Sequence, residues 1–587
     1  EAGKLYNVLP SGNRAPDNKG GAGYDQTRAD FDFDRGSNAA ATRIGSDGLL
    51  KKYQENLLLQ SNQFDTTWLQ TNTTLTSGQS GYNGNNAWKV ASVSGGQTGM
   101  QQSVSFSNIH TVSIYAKAGS VDFIKLFVIQ SGTNRNCVVD LSDGSVASEV
   151  KANSSPETSV TSLENGWYRI EMPTAAISAT FVRIRPHLAV SDENLSVGDF
   201  IYIQSTQLET GLAATDVLTS GATTAKAGVL IDLPRINFDA NGENGALLLE
   251  PSRQNLVQYS EYFGAWTLSN STITSNATTS PEGVNNASLY TSTNVTNYVR
   301  NIITASNATY TLSVFVKRVS TDEFRMNFSD GVTGEIRYVF NLADETSTLT
   351  KSGGTISGYS ADFENYGNGW YRLHITATTN AGTAITAYFE TDNETGSFYL
   401  YGAQCEAGSY ISSYIPNHGT SGGVTRAADS CFTNNIDTSI INSSYPFTMY
   451  AESTYVGGNN HVLSFLKSVV SNNYYLISIG SNGEIFLDAR ANGTSELINS
   501  GVVVVDGQKF KVAITMESAT SGKICVNGNA VVSKNNFSNQ AVNSEINDLI
   551  LGQLRVVADT GKRLPISQVL LFPTALSDSE LATLTTL

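Results

Sequence analysis

In the stretch TVSIYAKA (Thr111 to Ala118), Val112, Ile114 and Ala116 fall on one face and Thr111, Ser113 and Tyr115 on the other. That is the period of a strand with one buried face. Gly-Trp-Tyr-Arg follows a turn twice, and the alternation predicts Trp167 and Trp370 inside a core, with Tyr168 and Tyr371 pointing out. From Pro446 onward PFTMYAESTYV, YYLISIGSNGEIFLDAR, QKFKVAITME and GKICVNGNAVV read as further strands joined by tight Asn-Gly turns. A short helix ends this run, with Ser577 as its cap and Glu580 at the third position. The pattern is all-β, and its half-buried strands suit packed sandwiches.

The chain also repeats itself. ENLLLQSNQFDTTW (Glu55 to Trp68) matches RQNLVQYSEYFGAW (Arg253 to Trp266), and NNAWKV at Asn85 matches NNASLY at Asn285. TVSIYAKAGS at Thr111 matches TLSVFVKRVS at Thr311, ENGWYRIEM at Glu164 matches GNGWYRLHI at Gly367, and GDFIYIQSTQLETG at Gly198 matches GSFYLYGAQCEAG at Gly396. Five landmarks in one order establish a duplication whose period is too long for a solenoid, so each copy is expected to own a core. The expected division is an N-terminal attachment segment at 1–54, module 1 at 55–210, a connector at 211–252, module 2 at 253–408, a second connector at 409–445 and a C-terminal domain at 446–587. ALLLEP and SSYIP are too apolar for free linkers, so both connectors should lie against neighbouring modules.

Length and composition narrow the function. A chain of 587 residues exceeds one hydrophobic core. Its net charge of −16 repels nucleic-acid phosphates, and no basic run with interleaved aromatics offsets it. No apolar run reaches the ~18 residues of a membrane span, and no basic-then-apolar leader pattern opens the sequence. Cys137, Cys405, Cys431 and Cys525 are too dispersed for a disulfide framework or zinc site and read as buried thiols.

The two copies resemble the carbohydrate-binding-module-like jelly rolls of tailed-phage structural proteins, in which a segment like NLVQYSEYFGAW opens the module and one like FYLYGAQCEAGSYISSYIPNHGTSGGVTRAAD closes it. FDFDRGSNAAATRIGSDGLL (Phe31 to Leu50) looks like the segment that precedes such modules in tail and fibre proteins, with Gly36 in place of the usual Ala and one extra Ala. The last 140 or so residues resemble the laminin-G/concanavalin-like lectin sandwich. The resemblance implies tandem jelly rolls plus a concanavalin-like tip in a phage virion appendage. It also implies a place on the particle surface, other virion proteins and host cell-surface polysaccharide as partners, and a homotrimer. Leu247, Leu248, Leu249 and the Tyr414 to Pro416 region are expected to be buried between modules or chains. The non-catalytic glycan-binding part of a secreted polysaccharide-degrading enzyme, a divergent enzyme of that kind, and a purely structural decoration protein are the alternatives.

No catalytic constellation is expected. Glu484 and Asp488 stand four apart on one strand without the third carboxylate of a laminarinase-type motif. GTSGG (Gly419 to Gly423) has the form of a nucleophile elbow around Ser421 with His418 beside it, but lies in a Gly/Ser connector and reads as a turn. His110, His187, His374, His418 and His461 are scattered singly, without ligand spacing. No cofactor is expected apart from a structural Ca²⁺, for which Asp30, Asp32 and Asp34 are one source and an edge strand guarded by charge is the other reading. Jelly rolls of the resembled kind often hold Ca²⁺ near the last strand, yet Ser205 and Gly402 stand where an Asp ligand is expected, so the metal is unassigned. For a sugar, Tyr82, Trp88, Tyr115 and Tyr168 are a candidate aromatic platform, with Asn85 and its neighbours Asn83 and Asn86 for hydroxyls. Packing in a sandwich core is the competing role for each ring, and Ser288 replaces Trp88 in the second copy.

Overall fold

The computed structural model describes residues 4–6, 32–36, 40–130, 133–151, 155–175, 179–231, 233–380, 382–433, 445–458, 460–466, 473–491, 494–538, 548–552 and 564–587. Strands dominate them, and all registered strand pairs are antiparallel. Among the described residues no helix is long and apolar enough to cross a membrane. The chain forms two compact units, 50–228 with 254–424, and 1–49 with 229–253 and 425–587.

The first unit holds the duplicated modules, and their sheets agree strand for strand. In module 1 one sheet runs in the order Ser159–Ser162, Trp167–Thr174, His110–Lys117, Phe200–Thr210, Gly84–Ser92, Thr73–Gly81. Its partner runs Val146–Val150, Thr133–Asp140, Phe123–Gln130, Ala179–His187, Gly99–Phe106, Leu69–Thr71. Module 2 repeats both orders, with Ile356–Asn365, Trp370–Thr379, Thr309–Arg318, Ser397–Ala407, Ala287–Ser292 and Ser271–Thr278 in one sheet. Its other sheet contains Thr346–Gly353, Glu335–Asn341, Glu323–Ser329, Ala384–Thr391, Tyr298–Thr304 and Thr267–Ser269.

Val112, Ile114 and Ala116 face the module 1 core, as alternation requires. The expected register of Gly-Trp-Tyr-Arg is reversed, however. Tyr168, Ile170 and Met172 face the core, while Trp167 packs on the opposite face with Ala87, Tyr115 and Tyr82. Trp370 and Tyr371 repeat the arrangement, with Leu373, Ile375 and partly Tyr371 against the module 2 core. Both tryptophans are nonetheless buried, because that outer face is itself covered; Val217 of the trailing chain packs on Trp167.

Buried polar side chains hold the trailing chain there. Asn56 donates from Nδ2 to the carbonyls of Thr206 (3.1 Å) and Leu218 (2.8 Å) and accepts at Oδ1 from the N–H groups of Leu58 and Leu208. Asn255 does the same to Ala403 and Ile415, and to Val257 and Cys405. The repeated Gln-x-Glu then completes the staple. Gln207 and Gln404 each accept a backbone N–H at 2.7 Å, from Leu218 and Ile415. Glu209 and Glu406 accept both the N–H and the hydroxyl of Thr215 and Ser412. Ser205 and Gly402, at positive φ of 44° and 58°, mark a bulge in the last strand of each module.

The modules meet over a buried charged cluster. Lys52 Nζ lies 2.7 Å from Glu282 and 3.6 Å from Glu261, and Glu261 also accepts from Tyr401 (3.0 Å) and Tyr414 (3.2 Å). Burial would lower the Lys52 pKa, but the two carboxylates outweigh it and hold the ammonium above its ordinary value. His418 sits beside this cluster and accepts Ile109 N–H at its carbonyl, while Ile109, Ala175, Leu212 and Tyr262 form an apolar contact.

The second unit is a sandwich assembled from three parts of the chain. One sheet runs Ile236–Asn237, Ala246–Leu249, Leu564–Phe572, Phe447–Thr454, Lys509–Ser518, Ser521–Val526, Val532–Lys534, with Lys4–Tyr6 also on Leu564–Phe572. The other runs Asp32–Asp34, Ser430–Thr433, Asp548–Leu551, Asn460–Leu466, Tyr474–Ile479, Glu484–Ala491, Thr494–Val503. Residues expected in an attachment segment and a connector are therefore strands of the C-terminal sandwich. Leu247 and Leu249 belong to its core and Leu248 is 1% exposed, so the leucine strip is covered within the chain and gives no reason for a second one. Tyr414 and Ile415 are likewise buried within the chain.

Buried ions splice the three parts together. Arg235 and Arg426 each reach Glu250 Oε2 at 2.9 Å, Arg235 pairs with Asp429, and Arg35 lies 3.5 Å from Asp429, every side chain fully enclosed. Arg35 and Arg426 come from the two motif segments singled out in the sequence. The terminal helix Asp578–Thr585 has the expected capping box of Ser577 and Glu580.

Two outcomes follow from these buried groups. Asn255→Ala leaves two carbonyls and two N–H groups buried and unpaired, and should lower stability by about 3 kcal/mol or more in urea unfolding; an unchanged midpoint would refute the staple. His418 and His110 are held neutral chiefly by burial, at about 3 and about 4 against 6.5 in an open chain. Protons therefore bind the unfolded chain first. The contribution of these two histidines to stability is full above pH 6.5 and should decline as pH falls from 6.5 toward those lower values, by at most about 1.4 kcal/mol per pH unit for each histidine. Urea midpoints read through this window check the decline, which should flatten in a His110→Gln/His418→Gln variant.

Candidate functional site

Each module has one sheet whose outward face is free of trailing chain, and in module 2 this face carries a cleft. In Glu323–Ser329, Phe324, Met326 and Phe328 enter the core, which sends Arg325, Asn327 and Ser329 outward. In Ala384–Thr391 the same alternation buries Ile385, Ala387 and Phe389 and turns Thr386, Tyr388 and Glu390 out. Register then aligns Arg300, Tyr388, Asn327 and Arg337 across four strands, with Arg325 opposite Glu390 beside them.

The cleft holds about 430 Å³ and is lined by Tyr298, Arg325, Asn327, Arg337, Tyr388 and Glu390 together with Thr296, Asn297 and Asn393. Its polar groups are fixed by one another. Arg325 donates from Nε to Glu390 (2.9 Å) and from Nη1 to Asp392 (2.8 Å). Asn327 donates to Glu390 at 2.7 Å and accepts from Arg337 Nε at 3.0 Å, while Arg337 Nη2 donates to Glu335 at 2.9 Å. Burial raises the Glu390 pKa against the pull of Arg325; at Glu335, Lys351 and Arg337 outweigh burial and hold the carboxyl below its ordinary value. Tyr298 and Tyr388 meet edge to face at 5.4 Å, and the Arg300 guanidinium lies 5.4 and 5.8 Å from their rings and donates to Tyr388 Oη at 3.2 Å. Fixed donors and acceptors beside two aromatic rings suit a ligand rich in hydroxyl groups.

The sequence-derived platform does not assemble. Trp88 is 8% exposed, packs edge to face on Phe64 at 6.1 Å in the core, and donates Nε1 to the Asn62 carbonyl. Tyr168 is a core residue as well. Tyr82 and Tyr115 are stacked on each other at 4.1 Å, so each ring spends one of its two faces on the other, and Tyr115 is buried. Asn83 and Asn86 both accept from Gln204, and Asn85 is exposed on the same hairpin. The large rings lie on the covered sheet or in the core, where their role is packing, and aromatic composition does not tell which face of a sheet is covered. The alternation in EFRMNFS and ITAYFET does carry the signal for the actual cleft, since its polar positions are Arg, Asn, Tyr and Glu where an idle solvent face takes Ser, Thr or Lys.

Other sequence candidates separate. Glu484 and Asp488 share the outward side of Glu484–Ala491, and four residues of strand put them about 13 Å apart, beyond the ~5–9.5 Å of glycosidase pairs. Asp488 accepts from Tyr474 at 3.1 Å and burial raises its pKa. Ser421 is exposed in a turn whose Gly419 and Thr420 N–H groups are taken by Asn417, and no hydrogen bond joins it to His418 among the described residues. Asp30 and the side chains of Asp32 and Asp34 lie outside the described residues. Among the described residues no group of three His, Cys, Asp or Glu side chains is placed to hold a metal.

Residues 418–582 match the Concanavalin A-like lectin/glucanases superfamily. Among solved structures, the chain is similar to the Ruminococcus gnavus IT-sialidase CBM40 bound to alpha2,3 sialyllactose, at 16% identity and a TM-score of 0.22, over 24% of this chain and 84% of that one. It is also similar to the binding domain of botulinum neurotoxin serotype G (15% identity, TM-score 0.22, 28% and 43% of the two chains) and to the heptameric SAP-like pentraxin of Limulus polyphemus (15%, 0.21, 24% and 69%). No curated protein matches the chain. The nearly all-β architecture and the concanavalin-like C-terminal sandwich agree with the fold class read from the sequence.

Replacing Trp88 by Ala should cost about 3–5 kcal/mol in stability as a core deletion, whereas Tyr82→Ala, at a half-exposed hairpin, should cost about 1 kcal/mol. Equal small losses in urea unfolding would return Trp88 to the surface.

Proposed function

We propose that this chain is a glycan-binding protein without catalytic activity of its own, and that module 2 binds sugar hydroxyls in the cleft between Tyr298, Tyr388, Asn327 and Arg337. The observation that carries the reading is the row Tyr388–Asn327–Arg337 in the lining of the cleft, where Asn327 is hydrogen-bonded to Glu390 and Arg337 and Arg337 is paired with Glu335, beside aromatic rings. Buried polar groups already paired in this way need no reorganisation when a ligand arrives. The concanavalin-like C-terminal sandwich, a fold that includes lectins, supports a role in carbohydrate recognition.

The finer reading is a virion appendage of a tailed phage that adheres to host-surface polysaccharide beside other virion proteins. Its support is the resemblance of the segments around Arg35 and Arg426, and both arginines lie in the buried ionic cluster of the second unit. Oligomerisation as a trimer belongs to this reading and draws nothing from the leucine strip.

A glycan array probed with the full chain tests the binding claim. Retained glycans should be lost or weakened about tenfold by Tyr388→Ala, as expected for removing an aromatic contact with its hydroxyl. An array without retained glycans, or one indifferent to Tyr388→Ala, would refute the site.

A further inference from the structure

The face of module 1 that corresponds to the cleft has kept its geometry and changed its chemistry. Register places Lys125 opposite Arg185, and Phe127 opposite Arg183, which in turn faces Gln101. These are the positions of Arg325, Glu390, Asn327, Tyr388 and Arg300 in module 2. We propose that this face binds an acidic polysaccharide, with the Arg183 guanidinium receiving a carboxylate of the polymer.

Three cations surround one ring. Lys125 Nζ, the Arg185 guanidinium and the Arg183 guanidinium lie 4.6, 5.5 and 6.0 Å from the centre of Phe127, and Arg183 also lies 4.8 Å from that of Phe181. Among the described residues one carboxylate, Glu193, serves the group, pairing with Lys125 at 3.1 Å and Arg185 at 2.7 Å. Nearby His187, 3.6 Å from Glu193, is shifted by burial toward its neutral form. Among the described residues no carboxylate lies within ion-pair distance of Arg183, which feels the Glu193 charge only from farther away. Gln101 Oε1 accepts from its Nε (2.9 Å) and Nη2 (2.6 Å), which fixes the plane of the fork and leaves the Nη1–Nη2 end for a bidentate acceptor. Three cations against one carboxylate leave this face with an excess of positive charge in a chain of net charge −16, and a bound anion relieves the mutual repulsion of Arg183 and Arg185.

The choice of a polysaccharide to carry the anion rests on the glycan reading of the equivalent face in module 2; the anion site itself does not. Binding of the full chain to polygalacturonate, dextran sulfate and neutral dextran at low ionic strength tests it. Polygalacturonate should bind and neutral dextran should not. Arg183→Gln should weaken that binding about tenfold, the worth of one charge-assisted hydrogen-bonded pair. Lys125→Gln should weaken it in the same direction from another strand. Tyr388→Ala should leave it within about twofold, so a failure of the module 2 cleft is separable from a failure here. Binding of dextran sulfate alone, lost in Arg183→Gln, would keep the site and make its anion a sulfate ester. Absence of binding to either acidic polymer, or an Arg183→Gln variant that binds as well as the parent, would overturn it. So would an equal loss in Tyr388→Ala.

Discussion

The duplicated modules depend on one buried hydrogen-bonded staple. An asparagine entering each module, Asn56 or Asn255, joins the last strand to the chain that leaves it, and the Gln-x-Glu at the end of that strand takes hold of the same departing chain. Each amide satisfies four backbone groups that would otherwise be buried unpaired. The departing chain is thereby laid against the sheet and closes over Trp167 in module 1. Without that cover, the outer face of this sheet would present large aromatic rings to water.

The staple also decides where a ligand can go. The departing chain covers one sheet of each module, so the face that remains open, and in module 2 carries the cleft, is the outward face of the other. The two copies share strand order, register and staple, whereas their free faces differ. Tyr388, Asn327 and Glu390 stand in module 2 where Arg183, Phe127 and Arg185 stand in module 1. Core positions keep their apolar character across the duplication because packing constrains them. Outward positions carry no such constraint and were free to acquire separate chemistry.

Charges are buried in this protein where distant segments must be brought into one unit. Arg35, Arg235, Glu250, Arg426 and Asp429 come from three parts of the chain, and Lys52, Glu261 and Glu282 join the two modules. An enclosed ion pair adds little net stability over an apolar replacement, but removing one partner leaves a desolvated charge that costs several kcal/mol. Such clusters favour one pairing of segments over all others. Arg35 and Arg426 thus have a structural task in the fold.

The sequence by itself determined the strands, their period, the duplication and the terminal helix cap. Each of these is local, set by alternation of side chains or by hydrogen bonds within a few residues. It also contained the cleft, in the polar positions of EFRMNFS and ITAYFET, although nothing local marked those positions as belonging together. Only the tertiary structure decided which face of Trp167–Thr174 is the core, because both faces are buried and alternation alone cannot rank them. It alone decided that Trp88 and Tyr168 pack inside while Tyr82 stacks on Tyr115. It also assigned strands from residues 32–34 and 236–249 to the C-terminal sandwich. These outcomes rest on contacts between residues far apart in the chain, and side-chain spacing along the sequence carries no record of which distant segment will cover a given face.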